Sequence, residues 1–581
     1  HSTYKAAALA TILAIAACGD TSSAAQPAST DPAALTPGDA VLFVGTPDVG
    51  ALWHSIIRET GATLGAVESQ YSGDAGLAIA TRVLFRLRQR LADALQTEPV
   101  KLENPFGGPA LLYITMPSAG DTIEMGCAFG VGNAALMRDY YDKITKRMRD
   151  IFSDTRSEKV GDAEIVEFRR KPDPSQATNG SDPNDFDFGD ADAALDLGIE
   201  RLLSPDSLPD HIAACLTPKV LWVGSSADMI KSAMSVKPGE DALSDTPAYK
   251  RLEQVYTPLG QARVLLNIAS IRRLAERRQG PDAQALFETL GLDHVDAIVG
   301  HGSLQVDGGN FSEFLFVSDK KPTGLLGLLA LENTPITPDG TISANTCLYA
   351  RLNLNVGEFV RETEAILRRQ DPDTADAMRR ALEDAPGPDG ERVNLRAEVI
   401  DSLNGPVVLA CRFDEPFSIA TIRWLITIGH DNQARISRAL TKLGSAFGLF
   451  PRPIGEVELF DVPPFAAVAV GQKTILLGDR GSVEGALRGG APASPLADQP
   501  DFVKLAKRAS PSAGLIAYVD QQAFFAGVRG VMLSLGVPAA QIDIPTEPRE
   551  LRTLTPTIMT LSSTPEGLRC SIHSIAARPM P

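Results

Sequence analysis

The sequence predicts an α+β fold, built as a tandem duplication of one module of mostly antiparallel sheets with helices on one face. Three observations predict it. First, one short unit occurs twice. It reads Lys219-Val220-Leu221-Trp222-Val223-Gly224 followed by Leu243-Ser244-Asp245-Thr246-Pro247-Ala248-Tyr249, and again Lys473-Thr474-Ile475-Leu476-Leu477-Gly478 followed by Leu496-Ala497-Asp498-Gln499-Pro500-Asp501-Phe502. Second, further pairs keep the same order: Asp48 with Asn355, Gly108 with Gly405, Gly161 with Gly455. Their separation shrinks in steps, by roughly forty residues between the Gly161 and Gly224 pairs, as copying with insertions and deletions produces. Third, hairpin-like strand pairs alternate with helical runs, and the first six elements of each half fit a β-α-β-β-α-β order, suggesting ferredoxin-like subdomains.

The elements follow in order. Ala6–Ala17 is an apolar run behind Lys5, too short to span a bilayer comfortably and shaped like a signal-peptide core, residues 1–17. The chain opens on His1, so more residues are expected upstream. Ile15-Ala16-Ala17-Cys18 resembles the lipobox of bacterial lipoproteins. That resemblance implies acylation of Cys18, cleavage before it, and a mature chain anchored to a membrane of the cell envelope, facing the periplasm or the exterior. Residues 18–35 are Ser, Thr, Ala, Pro, Gln and Asp with little to bury, and read as a flexible tether with a reach of about 25 Å.

The first repeat is expected over 36–332 and the second over 333–581. Thr36-Pro37-Gly38-Asp39 turns into the strand Ala40–Val44, and Asp48 starts a helix. The second half answers with Thr346–Ala350 and with Asn355 starting its helix. The opening Leu35–Val44 resembles an uncharacterised family of exported bacterial proteins that begin Leu-Pro-Ala-Asp-Thr before a strand; its second copy is read at Ile336-Thr337-Pro338-Asp339. This resemblance implies location and fold and assigns no reaction. Residues 171–210 are an acidic insertion, with Asp182, Asp185, Asp187, Asp190, Asp192 and Asp196 crowded together. They do not meet the twelve-residue calcium-loop pattern and read as a solvated loop.

In the repeated unit, Val220–Val223 and Ile475–Leu477 are continuous apolar runs expected as buried strands, each ended by a glycine. Ser225, Ser226 or Asp479 then caps a helix. Asp245 and Asp498 are placed to cap a second helix with Pro247 and Pro500 in its first turn. Tyr249 with Leu252, and Phe502 with Leu505, share one helical face and point to a core. Two closing strands are expected in each half, at 298–306 and 311–318, then at 558–562 and 568–575.

Composition narrows the function. The 581 residues carry a net charge of −17, and no basic stripe interleaves with aromatics, which argues against nucleic acid as a partner. Six cysteines lack Cys-x-x-Cys spacing and mostly lie in apolar runs, where they read as small buried hydrophobes. Seven histidines form no His-Glu-x-x-His pair; His294 and His301 lack a third ligand, so no metal or cofactor is expected. No Gly-x-Ser-x-Gly elbow or phosphate-binding Gly-x-x-x-x-Gly-Lys loop occurs. Gly478-Asp479-Arg480-Gly481-Ser482 sits between strand and helix and can be read as an anion loop or, more plainly, as a tight turn. Basic clusters at 82–90, 143–149 and 272–278 read as solvated helix faces, with anionic lipid headgroups the alternative.

The expected function is therefore a non-catalytic, lipid-anchored envelope protein acting as a binding or scaffold module. Its partners are the membrane through acylated Cys18 and a further envelope protein. Two alternatives stand beside it. One is a carrier or sensor of an apolar ligand held between the repeats, with the leucine-rich run Gly324–Leu329 as lining. The other is an envelope carbohydrate hydrolase using two converging acids among the 72 present.

Overall fold

The computed structural model describes residues 31–50, 92–93, 95–98, 102–116, 123–170, 211–256, 260–304, 310–386, 392–446, 451–455, 457–462, 466–489, 492–539, 542 and 554–575. The signal-like run, Cys18, the acidic insertion and the basic stretch at 82–90 lie outside them. The chain is α+β, and its large sheet system is mostly antiparallel. Among the described residues no helix is long and apolar enough to cross a membrane.

Two compact units form: one from residues up to 270 with 297–304, the other from 271–296 with 305–581. The boundary expected at 332 falls inside the second unit, because the strand at 310–317 pairs antiparallel with the strand at 567–574.

The first unit contains β1 (Leu42–Thr46), β2 (Phe106–Thr115), β3 (Glu124–Val131), β4 (Asp154–Val160), β5 (Ala163–Arg169), β6 (His211–Leu216), β7 (Val220–Gly224), β8 (Ala262–Leu266) and β9 (Ala297–Leu304). Their order is β9-β8-β1-β2-β3-β7-β6-β5-β4, antiparallel throughout. Helix α1 (Ala134–Ile151) follows β3, α2 (Ala227–Ser235) follows β7, and α3 (Pro247–Val255) precedes β8.

The second unit contains β10 (Asn310–Val317), β11 (Leu348–Leu352), β12 (Leu403–Phe413), β13 (Ile422–His430), β14 (Pro451–Ile454), β15 (Val457–Val462), β16 (Ala466–Val470), β17 (Thr474–Asp479), β18 (Leu515–Val519), β19 (Thr557–Thr564) and β20 (Gly567–Ser574). Their order is β10-β20-β19-β18-β11-β12-β13-β17-β16-β15-β14, again antiparallel. Its helices include α4 (Gly324–Leu329), α5 (Val356–Gln370), α6 (Gln433–Ala446), α7 (Arg480–Leu487), α8 (Pro500–Ala506) and α9 (Gln521–Ser534).

The strand order of the first unit recurs in the second, and details recur with it. The Val41 amide donates to the Ile114 carbonyl and the Asn267 amide to Val41; the Cys347 amide donates to Cys411 and the Asp520 amide to Cys347. Both β2 and β12 shift register beside their glycines, Gly108 and Gly405. The β4–β5 and β14–β15 hairpins turn at Gly161 and Gly455, at φ of 60° and 63°, where a side chain would be strained. Tyr249 and Leu252, and Phe502 and Leu505, are buried as their spacing predicts. Phe502 sits edge-on to Tyr518 at 5.3 Å between centroids, and Tyr249 edge-on to Phe43 at 6.0 Å. Burying each such side chain contributes roughly 1.5–3 kcal/mol.

Four expectations need correction. The ferredoxin-like order would place the first and third strands side by side and parallel; instead β1, β2, β3 and β7 pair in succession, each antiparallel to the next. Asp245 and Asp498 do not cap the second helix: each ends a short 3-10 turn, and Thr246 and Gln499 take the capping position. The Asp245 carboxylate accepts instead from the Gly239 amide at 2.7 Å. The second copy of the opening is not at 336–339. Pro37 bridges Ala242 and Ser343 bridges Pro495, so Ile342–Asn345 stands where Thr36–Asp39 does.

The fourth correction concerns the tether, which is ordered by residue 31. Asp31 caps a 3-10 turn at Pro32–Leu35, and Ala33 and Thr36 are fully buried. The Asp31 carboxylate meets Arg263 Nη1 at 2.7 Å and accepts from the Tyr249 hydroxyl at 2.9 Å. Composition suggested nothing to bury here; an ion pair and small side chains suffice.

Candidate functional site

A cavity opens in the second unit where strand β17 gives way to helix α7. Continuous apolar residues bury β17, and Gly478 lies against the Trp424 carbonyl of β13. The next residue, Asp479, is buried and spends its carboxylate on the local backbone. It accepts from the Ser482 amide at 3.1 Å, from the Ser482 hydroxyl, and from the Trp424 amide at 2.9 Å. It therefore occupies the helix start itself, and Gly478–Ser482 is a self-capped turn, not an open anion loop.

Around that cap the charges are paired. Arg423 Nη1 reaches Asp479 at 3.2 Å while its Nε reaches Asp414 at 3.1 Å. Arg412 Nε also meets Asp414, at 3.1 Å. Arg480 Nε meets Glu484 at 3.0 Å and Asp461 at 3.8 Å. Hydrogen bonds from Arg480 and then Arg452 hold the Glu484 carboxyl below its ordinary range. Between these pairs lies a groove of about 540 Å³, lined by Ile419, Ile422, Trp424 and Val462 beside Arg423 and Arg480. Ile419 is 40% exposed at its edge.

The first unit repeats the corner with other charges. The Ser225 hydroxyl accepts from the Met125 amide at 3.1 Å, as Asp479 does from Trp424. Ser226 caps α2 through the Met229 amide at 3.1 Å, and its hydroxyl donates to Glu124 at 3.3 Å. Glu124 stands where the second unit has Arg423. Burial pushes its carboxyl up, the Ser226 hydrogen bond opposes that, and nearby Asp228 adds to it.

A second cavity in the second unit, of about 500 Å³, lies beside α4 and the start of α5. Leu328, Leu331 and Phe359 give it apolar walls; Asn353, Glu358 and Glu362 give it polar ones. Asn353 is committed to the scaffold, donating to the Glu332 carbonyl and the Thr334 hydroxyl, each at 2.8 Å. Gly327 and Leu328 of the leucine-rich run line this cavity, which is built from second-unit residues and is not the space between repeats expected from sequence; Leu325 and Leu329 are exposed.

The remaining residues singled out from sequence sit as follows. Cys18 lies outside the described residues. His301 accepts from the Gly260 amide at 3.0 Å and lies 4.2 Å from the Tyr256 ring, whereas His294 pairs with Asp293 at 3.3 Å. Among the described residues no group of three His, Cys, Asp or Glu side chains is placed to hold a metal. In the basic cluster of α1, Lys143 pairs with Asp139 at 2.7 Å and Arg147 donates to the Asp93 carbonyl at 3.0 Å. Arg272 donates to the Leu292 and Asp293 carbonyls.

Sequence reasoning missed Arg423, Trp424 and Asp414. The available signal was an Arg-Trp pair inside the mostly apolar run Ile422–Ile428. No family model, curated protein or solved structure matches this chain.

Proposed function

We propose that the chain is a non-catalytic, lipid-anchored protein of the bacterial cell envelope that binds a partner protein through its second unit. The observation that carries this reading is the Trp424 groove. Its floor is aliphatic and aromatic, its arginines are pre-paired, and an isoleucine is exposed at its edge. Trp and Arg in a shaped, partly desolvated depression are the side chains that dominate protein recognition. Pre-paired charges give the groove a fixed form and leave its arginine side chains ordered before a partner arrives.

The duplication belongs to the same reading. The recurring strand order and the recurring corner hydrogen bonds support descent of both units from one module. Anchoring rests on the Ala6–Cys18 pattern alone. Substituting Cys18→Ser should move the protein from the membrane fraction to the soluble one; unchanged partition removes the anchor.

Binding is tested in intact envelopes by placing a photoreactive aromatic amino acid at position 419. Illumination should yield one discrete protein adduct, and Trp424→Ala should reduce its yield at least tenfold. The absence of any adduct overturns the groove as a docking site.

A second reading is a carrier of an apolar ligand. It is favoured by the cavity beside α4, with Leu328, Leu331 and Phe359 on one wall. Native mass spectrometry of the full chain extracted from envelopes should then retain a ligand that Phe359→Ala loses; a bare mass ends this reading.

A further inference from the structure

Cys411 lies on β12 and Cys347 immediately precedes the paired strand β11, and a backbone hydrogen bond brings them together. The Cys347 amide donates to the Cys411 carbonyl at 2.9 Å. The Cys347 thiol lies 3.2 Å from the same carbonyl oxygen. Cys411 is itself the ladder partner of Leu348. The same backbone contact in the first unit joins Val41 to Ile114, two ordinary core side chains. The fold thus provides a close cross-strand pair in both units, and only in the second are both members thiols. Cys347 is one residue from the directly opposed partner of Cys411, and directly opposed antiparallel residues have Cα atoms about 4.5–5.5 Å apart, against the roughly 4.4–6.8 Å that a disulfide spans.

We propose that Cys347 and Cys411 are a modification site: a dithiol that closes to a disulfide stapling β12 to the start of β11. The adjacent Cys347 side chain holds the Cys411 thiol below its usual range, while the Cys411 side chain and then burial raise the Cys347 thiol. Cys347 is 1% exposed and Cys411 less buried, so Cys411 is the one that meets an oxidant.

The chemistry is thiol–disulfide exchange with a disulfide-bearing oxidant. The Cys411 thiolate attacks one sulfur of the oxidant, breaking its S–S bond, and the departing thiolate takes up the Cys411 proton. Cys347 then loses its proton and attacks Cys411 Sγ. The Cys347–Cys411 bond forms, the mixed disulfide breaks, and the oxidant leaves as its second thiol. Two cysteine thiols are oxidised and one disulfide is reduced to two thiols. The proposal is independent of the anchor and of the groove, since any disulfide oxidant of sufficient potential supports it.

The test uses the full chain, reduced and then freed of reductant. It is incubated folded with oxidised glutathione, denatured, alkylated with N-ethylmaleimide and mapped by proteolysis and mass spectrometry. The expected result is a linked pair of peptides carrying Cys347 and Cys411, and two fewer alkylated thiols than in the reduced control. In the Cys347→Ser variant, Cys411 should retain glutathione; in Cys411→Ser, Cys347 should stay alkylatable. Full alkylation of both cysteines in the treated wild-type protein overturns the proposal, even where a variant fails to fold. Glutathione retained on Cys347 in Cys411→Ser overturns the order of attack.

Discussion

The two strand-to-helix corners share a backbone and differ in almost every side chain. In each, the residue after a glycine accepts a hydrogen bond from the neighbouring strand: Ser225 from Met125, and Asp479 from Trp424. A hydroxyl needs little from its surroundings. A buried carboxylate needs a cation, and the second corner supplies Arg423 where the first has Glu124. At the second corner Asp479 is linked through Arg423 to Asp414 and Arg412, while Arg480 forms a separate set with Glu484 and Asp461, and of these Asp479, Arg423, Arg480 and Asp461 line the groove. Buried charge is kept only where partners are supplied.

The lead-in segments make the same comparison. In the first unit Arg263 of β8 ties Asp31 to the sheet, opposite Gly45 of β1. In the second unit an arginine stands on the other strand of the pair. Arg351 of β11 donates to the Thr334 hydroxyl at 2.8 Å and to the Pro335 carbonyl, and fully buried Ile516 stands opposite it. Each unit spends one arginine at this cross-strand position to hold the chain that leads into it.

The largest contrast should come from the paired glycines. A Cβ on Gly478 would sit 2.3 Å from the Trp424 carbonyl oxygen, whereas on Gly224 the nearest neighbour is the Ile230 side chain at 3.3 Å. Gly478→Ala is expected to cost about 3 kcal/mol or more and Gly224→Ala below about 1 kcal/mol. Urea unfolding of both variants measures this, and equal costs would break the equivalence of the corners. Next, Arg263→Ile gives β8 the second unit's residue and strands the Asp31 carboxylate. A loss of about 2–4 kcal/mol is expected, with faster amide exchange at residues 33–36. Adding Asp31→Asn should recover part of it.

Removing the strand-to-strand acceptors comes third. Asp479→Ala leaves Arg423 and two amides short of an acceptor and should cost about 2 kcal/mol, against about 1 kcal/mol for Ser225→Ala. Smallest is the pH response, which should differ in sign. The Glu124 pKa is raised above 4.5, so its burial weakens the first unit fully above the folded pKa and ceases to do so as pH falls through 4.5. The Glu484 pKa is lowered below 4.5, so its contribution is complete above 4.5 and is lost as pH falls through the folded pKa. Glu124→Gln should therefore stabilise at pH 7 and do little at pH 4, while Glu484→Gln should destabilise at pH 7 and do progressively less as pH falls below 4.5. Urea midpoints at the two pH values check both.

What could be read from the sequence was what the backbone demands locally. Gly161 and Gly455 mark turns, Pro247 and Pro500 mark helix starts, and Tyr249/Leu252 with Phe502/Leu505 mark buried faces, each signal carried by a few adjacent residues. The caps failed by one position because Asp and Thr, or Asp and Gln, both offer an acceptor there, and a preceding turn had already used the Asp. Strand order was invisible because it depends on pairings such as β1 with β8, whose partners lie far apart in the chain and leave no periodic trace. The groove was hidden for the same reason: Trp424 and Asp479 are 55 residues apart, and neither is unusual alone.

The Asp31–Arg263 clasp also has a mechanical meaning. Tension arriving from the N-terminal side reaches this handful of polar contacts before it reaches the ladder of β1. Contacts that are few and made by side chains give way one at a time, while a paired strand held on both edges resists as a block. The clasp is thus placed to slip first, lengthening the lead while the sheet behind it stays whole.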